Sequence, residues 1–187
     1  MTRVRWYVIL LLAGAGLGLT GHGAYIHAKA WLAQVLIRQA WSQTLEDQQP
    51  RKPWPWADTW PVARLKAPAQ DVDLMVLAGD SGRTLAFGPG LHLGTAGPGA
   101  RGPVLISAHR DTHFRFLQDL KAGEDIELQD ARGQWHRYYV TGAEVVHESD
   151  ALRADPADSV LIMITCYPFD ALIPGGPWRY VVYARLG

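Results

Sequence analysis

The sequence predicts an all-β domain behind a single N-terminal membrane helix. Three observations carry that reading. Residues 6–28 hold no formal charge, and after Pro61 the chain breaks into short apolar or alternating runs separated by Gly, Pro and Asp. Beyond that point one stretch alone, 114–120, has convincing helical spacing, with Phe116, Leu117 and Leu120 on one side. Runs of this length and punctuation suit a sandwich or barrel rather than alternating βαβ units. The 187 residues leave room for one domain and an appendage, and 48% apolar residues supply a core.

Taken in order, residues 1–28 read as a short cytoplasmic end and a transmembrane signal anchor. A helix over 6–28 would reach about 34 Å at 1.5 Å per residue, enough to cross a hydrocarbon layer of roughly 30 Å. Arg3 and Arg5 precede it, so the positive-inside bias keeps that end in the cytoplasm and puts the remainder outside. The competing reading is a removable signal peptide, since Ala28-Lys29-Ala30 has small residues at a cleavage spacing. Residues 29–61 read as an amphipathic helix to about Gln48 followed by a linker. Pro50, Pro53, Pro55 and Pro61 cannot propagate a helix, and Trp54, Trp56 and Trp60 are expected to pack on the domain. Residues 62–187 form the β domain, with strands expected at 73–78, 104–108, 125–129, 134–140, 160–165 and 179–185. The glycine-rich stretch 88–102 lacks a following Lys-Ser/Thr and reads as turns rather than a phosphate cradle.

Composition removes several functions. Eighteen basic and eighteen acidic residues cancel, leaving no general field for nucleic acid. Cys166 is the single cysteine, so neither an internal disulfide nor a CxxC metal knuckle can form. The chain has no asparagine, which excludes a Cys-His-Asn triad.

Chemistry is therefore sought at strand ends. Cys166 closes the most apolar strand, and Pro168 stops the ladder two residues later because it has no N–H to give. A thiol there is either a small core residue or a nucleophile, and a nucleophile needs a base or cation that favours the thiolate. Of the seven histidines, His22 and His27 lie in or beside the membrane run, while His92, His136 and His147 sit in turns or a strand of ordinary pattern. His109 directly follows the run 104–108 and is projected at a strand end as Cys166 is. His109 and His113 share a metal-binding helix spacing, but Arg110 occupies the place of a catalytic glutamate and no third ligand is evident. No metal or cofactor is expected. Arg179 is the one charge in the aromatic run 178–183, and Pro168, Pro174, Gly175, Gly176 and Pro177 mark a loop that returns it beside Cys166. A forked guanidinium suits the oxyanion of an acyl transfer.

The segments PVLISAHRDTHFRFLQDLKAGEDIEL, ITCYPF and WRYVVYARL resemble the sortases, cysteine transpeptidases of bacterial cell surfaces. The resemblance covers about 72–187 and implies a closed β-barrel of about eight strands with short helices. It also implies Cys166 as nucleophile, His109 as general acid/base and Arg179 as stabiliser of substrate and oxyanion. Thr165 and Ala108 are the expected substrate contacts. The family signature TLxTC stands here as IMITC, with Ile162 and Met163 replacing the leading Thr and the Leu. The implied partner is a surface protein carrying a C-terminal sorting motif of the LPxTG type, with an amine as acceptor. Among sortases, the short domain and tryptophan-rich juxtamembrane segment look like the group of Gram-negative bacteria, which would make the compartment periplasmic. The rival readings are an exported cysteine peptidase with water as acceptor, using Asp111 or Asp170 to orient His109, and a membrane-tethered β-barrel binding module in which Cys166 is only core.

Overall fold

A computed structural model describes residues 2–187 except 153, 156, 172 and 174, and side chains from Arg5 onward. The expected Pro174 turn therefore lies outside the described residues. The chain forms two compact units, divided between Leu36 and Ile37.

The N-terminal unit belongs to helix α1 (Thr2–Asp47), a single run of 46 residues. By length and composition it can cross a membrane. The amphipathic segment expected after Lys29 is thus a continuation of the same helix, which ends only where Pro50 removes the next donor. Its last turns, from Ile37 onward, belong to the second unit. There Ile37 and Trp41 are 1% and 2% exposed and pack with Met75 and Leu77, and the Trp41 indole donates to Gln129 Oε1 at 3.3 Å. The compact unit accordingly begins at Ile37 rather than at 62, because these side chains cover an apolar outer face of the barrel.

The second unit is an eight-stranded closed barrel. Its strands are β1 (Pro61–Ala67), β2 (Val72–Ala78), β3 (Gly90–Leu91), β4 (Val104–Ser107), β5 (Asp125–Gln129), β6 (Trp135–His147), β7 (Val160–Cys166) and β8 (Trp178–Leu186). They close in the order β1-β2-β3-β4-β7-β8-β6-β5. Alternation fixes which side each residue faces. In β1, Ala63, Leu65 and Ala67 are buried while Arg64 and Lys66 are not. The interior is filled by residues such as Leu65, Val76, Ile106, Leu128, Met163 and Val182. Full closure leaves no unpaired sheet edge.

Two strands go beyond those expected. β1 escapes periodicity because its inward residues are mostly alanine, too small to mark an apolar stripe. β3 has two residues and lies within the glycine-rich stretch. It exists because Gly90 passes so close to Gly79 that an added Cβ would stand 2.2 Å from the Gly79 carbonyl oxygen. β6 runs seven residues past its expected end, its register shifting between Val140 and Gly142. Such a bulge keeps a long strand paired while re-aiming its far half. The expected helix at 114–120 is a short 3₁₀ turn, Arg115–Asp119. A four-residue helix, Gly82–Leu85, is additional. Of the three linker tryptophans, Trp54 packs edge-on against Phe87 with ring centroids 5.2 Å apart and Trp60 is half-buried, but Trp56 is 80% exposed.

Candidate active site

Parity places Cys166, His109 and Arg179 on one face. In β7, Leu161, Met163 and Thr165 point into the barrel, so Val160, Ile162, Ile164 and Cys166 point out. In β8, Val182 and Ala184 point in, so Val181 and Arg179 point out. In β4, Val104 and Ile106 are buried, as is Ala108 just past it, which sends Leu105, Ser107 and then His109 outward. The sequence puts the candidate groups at strand ends. The strand ends are right, but the side chains lie on the outer wall, continuing an apolar patch of Ile162, Ile164 and Val181.

Register brings them together. β7 and β8 are antiparallel, and Cys166 stands directly opposite Arg179. β4 and β7 are parallel, with Ser107 beside Ile164. The pairing continues one step further, since Ala108 N–H donates to the Ile164 carbonyl at 3.2 Å and Thr165 Oγ1 donates to the Ala108 carbonyl at 2.7 Å. The next residues along the two chains are His109 and Cys166. Neighbouring strands lie about 4.7–4.9 Å apart, so three side chains distant in sequence share one short stretch of wall.

The three groups differ in exposure and in how firmly they are held. Cys166 is half-buried and unbonded to another cysteine, and His109 is exposed. Among the described residues, His109 makes no side-chain hydrogen bond, to Asp111 or Asp170 or otherwise. Arg179 is more constrained: its Nη1 donates to the carbonyls of Gly176 at 2.6 Å and Trp178 at 3.0 Å, and its Nη2 to Glu148 Oε2 at 2.6 Å. A guanidinium has five N–H donors. Three are spent, and Nε and one Nη2 hydrogen make no bond among the described residues.

The structure gives Thr165 and Ala108 a different position from the substrate-contacting one expected. Both are buried, at 3% and 5% exposure, and face the interior. The Thr165 hydroxyl is spent on holding β7 to the His109 segment. Two residues that sequence reasoning did not assign stand near the three. Glu148 follows β6 and pairs with Arg179. Arg110 follows His109 and is 7% exposed, its Nη2 donating to the carbonyls of Ala171 at 3.0 Å and Ile173 at 3.1 Å. The local signal for Arg110 was its parity after the run 104–108; Glu148 had none.

His113 is not part of this wall. It lines an open cavity of about 520 Å³ with Asp71, Asp73, Thr112, Arg115 and Asp119. Burial holds its imidazole below the ordinary 6.5, the nearby His109 adds to that, and Asp111 opposes it. His136 is structural, 3.1 Å from Asp130.

Comparison with known proteins follows the same lines. The family profile for the sortase domain matches residues 65–187. Sortase D of Bacillus subtilis (strain 168) is 28% identical over 123 residues, covering 65% of this chain and 61% of that protein. The match thus spans less than two thirds of that relative's length. Sortase C-1 from Actinomyces oris aligns with a TM-score of 0.60 at 29% identity, over 68% of this chain and 74% of that one. Sortase A from Corynebacterium diphtheriae, at 23% identity, has the same fold with a TM-score of 0.63 over 86% of this chain and 85% of that one. With the barrel topology in place and the profile matched over well more than half of its residues, this chain belongs to the sortase family.

Proposed function

We propose that the chain is a membrane-anchored cysteine transpeptidase that cleaves an LPxTG-like sorting motif and transfers the acyl part to an amine. The observation that carries this reading is the pairing of Cys166 with Arg179 across β7 and β8, with His109 next in register beside Cys166. The sulfur attacks the scissile carbonyl carbon, forming an S–C bond. Arg179 offers its unspent donors to the oxyanion. As the tetrahedral centre collapses, the C–N bond breaks and imidazolium His109 gives its proton to the departing amine. An incoming amine then attacks the thioester, His109 takes a proton from it, and the sulfur leaves. One amide is exchanged for another, and no oxidant or cofactor is consumed.

In this reading, residues 1–28 serve as the single-pass anchor in the plasma (inner) membrane, 29–61 as the connection whose turns from Ile37 pack on the barrel, and 62–187 as the catalytic barrel outside the cytoplasm. The substrate is a surface protein bearing a C-terminal sorting motif. A peptidase with water as acceptor would use the same three groups, and the product formed with and without an added amine separates the two readings.

The test is incubation with a library of LPxTG-type peptides followed by intact-mass analysis. The expected result is an adduct on Cys166 that disappears on adding an amine, with an amide as product. Cys166→Ala should abolish the adduct with an unchanged circular dichroism spectrum. Turnover that survives this substitution, or a carboxylic acid product regardless of added amine, would refute the transpeptidase reading.

A further inference from the structure

We propose that Arg110 is a positioning residue that fastens the loop between β7 and β8 to the His109 segment, so that the nucleophile, the imidazole and the second guanidinium are held as one unit. The inference rests on the roles proposed for Cys166, His109 and Arg179, and its physical basis stands apart from them.

Inward parity after β4 turns Arg110 away from solvent while its neighbour His109 faces out. Arg110 is the one basic residue among the buried side chains described. Such burial is costly for a cation unless its donors are met. Among the described residues Arg110 has no carboxylate partner, and its Nη1 is buried without a hydrogen bond. What it has instead are two backbone carbonyls, those of Ala171 and Ile173, both on Nη2. A charge kept indoors for two loop carbonyls is a specific arrangement, not a solvated surface arginine.

Phe169, near the start of the loop, packs on the core and against Tyr180, so it is the part beyond it that depends on Arg110. At the base of the loop, Tyr167 N–H donates to the Trp178 carbonyl at 3.0 Å, and Glu148 N–H donates to the Pro177 carbonyl at 2.7 Å. Both bonds lie beside the strand ends. Ala171 N–H bonds only within the loop, to the Pro168 carbonyl at 3.4 Å. Among the described residues, Arg110 alone makes hydrogen bonds that tie Ala171 and Ile173 to the rest of the protein. Ile173 is 81% exposed, so apolar packing does not hold it. Because the loop starts at Cys166 and ends at Arg179, a mid-loop tether to the residue after His109 closes a ring through all three groups. Arg110 acts through that loop and touches no reacting atom.

The test compares wild type, Arg110→Met and Arg110→Lys in the full chain in detergent. Met has no donors; Lys keeps the charge with a shorter reach and so should fall between. Amide hydrogen exchange needs no substrate, and in Arg110→Met it should quicken about tenfold or more over 169–177 while β1, β2 and β5 keep their protection. With an LPxTG-type peptide, kcat/KM should fall about tenfold, mostly through KM, because the loop wall and not the sulfur is displaced. Alkylation of Cys166 by iodoacetamide should stay within about twofold, since the thiol sits on β7. Arg110→Lys should recover part of both loop protection and KM. Unchanged loop exchange in Arg110→Met overturns the proposal, as does exchange that quickens equally in loop and barrel. If Arg110→Met does not fold, Arg110→Lys decides: faster exchange confined to the loop supports the tether, and wild-type loop protection or uniform loss overturns it. A wild type that turns over no peptide, with the loop still loosened in Arg110→Met, would remove the sortase activity and leave the tether standing.

Discussion

At the scale of single residues, Arg179 shows how one guanidinium is both held and left available. Two backbone carbonyls fix its orientation, so Glu148 contributes chiefly charge. The Glu148 side chain is 54% exposed, and such pairs contribute about 0–1 kcal/mol to stability. Its field reaches further than its bond. A unit charge roughly 10 Å away acts at about 0.4–1.7 kcal/mol between effective dielectrics of ~80 and ~20. Glu148→Gln should therefore leave the urea midpoint almost unmoved and speed alkylation of Cys166 by iodoacetamide by about twofold to at most about seventeenfold at neutral pH and low salt. A slower reaction would mean that Glu148 orients Arg179 instead. His113 gives a second residue-scale expectation. Its folded state disfavours the proton, so the unfolded chain binds more protons once the pH drops through the ordinary 6.5. Stability should decline as pH falls from 7 toward 5, and His113→Gln should flatten that decline in urea titrations at the two pH values.

At the scale of elements, the hairpin joining β5 to β6 rests on Asp130. Its Oδ1 accepts from the N–H groups of Arg132 and Gln134, each at 2.9 Å, and Oδ2 meets His136 at 3.1 Å. Gly133 supplies the positive φ of 82° that completes the turn. Burial works against the charged carboxylate, but the bonds from His136, Gln134 and Arg132 outweigh it and hold the group below its ordinary 3.8. This contribution is present above that pH and is lost as acid protonates the group in the folded state. Asp130→Ala removes the charged acceptor of three part-buried hydrogen bonds and should cost about 1–3 kcal/mol, read as a lower urea midpoint at pH 7. The hairpin opens β6 at Trp135, whereas Arg179, opposite Cys166, pairs with Val146 near the other end of that strand, so alkylation of Cys166 in the folded variant should be unchanged.

At the scale of the whole molecule, the last turns of α1 are part of the folded β unit. A fragment beginning at Ile37 should be stable, whereas one beginning at Val62 uncovers Met75 and Leu77. Loss of a buried tryptophan alone costs about 3–5 kcal/mol, so the shorter fragment should melt far lower or fail to fold in a calorimetric comparison. Equal melting temperatures would sink that expectation. The strands β2, β4, β5, β7 and β8 are legible because large apolar residues alternate or run continuously in them, whereas β1 hides its inward face behind alanines and β3 is two residues held by a glycine contact. Cys166, His109 and Arg179 could be singled out from the end of one apolar run, the start of another and the proline-rich loop between. Glu148 and Arg110 as a loop tether were not legible in that way, because each acquires its partner across more than thirty residues of chain. By itself, then, the sequence determined a barrel-forming alternation, an apolar N-terminal helix and three chemical groups at strand ends, since parity, length and proline placement are local properties. Only the tertiary structure decided that those groups share the outer wall and that a buried arginine reaches the loop between two of them. Register across β4, β7 and β8 is set by barrel closure, which no single segment encodes.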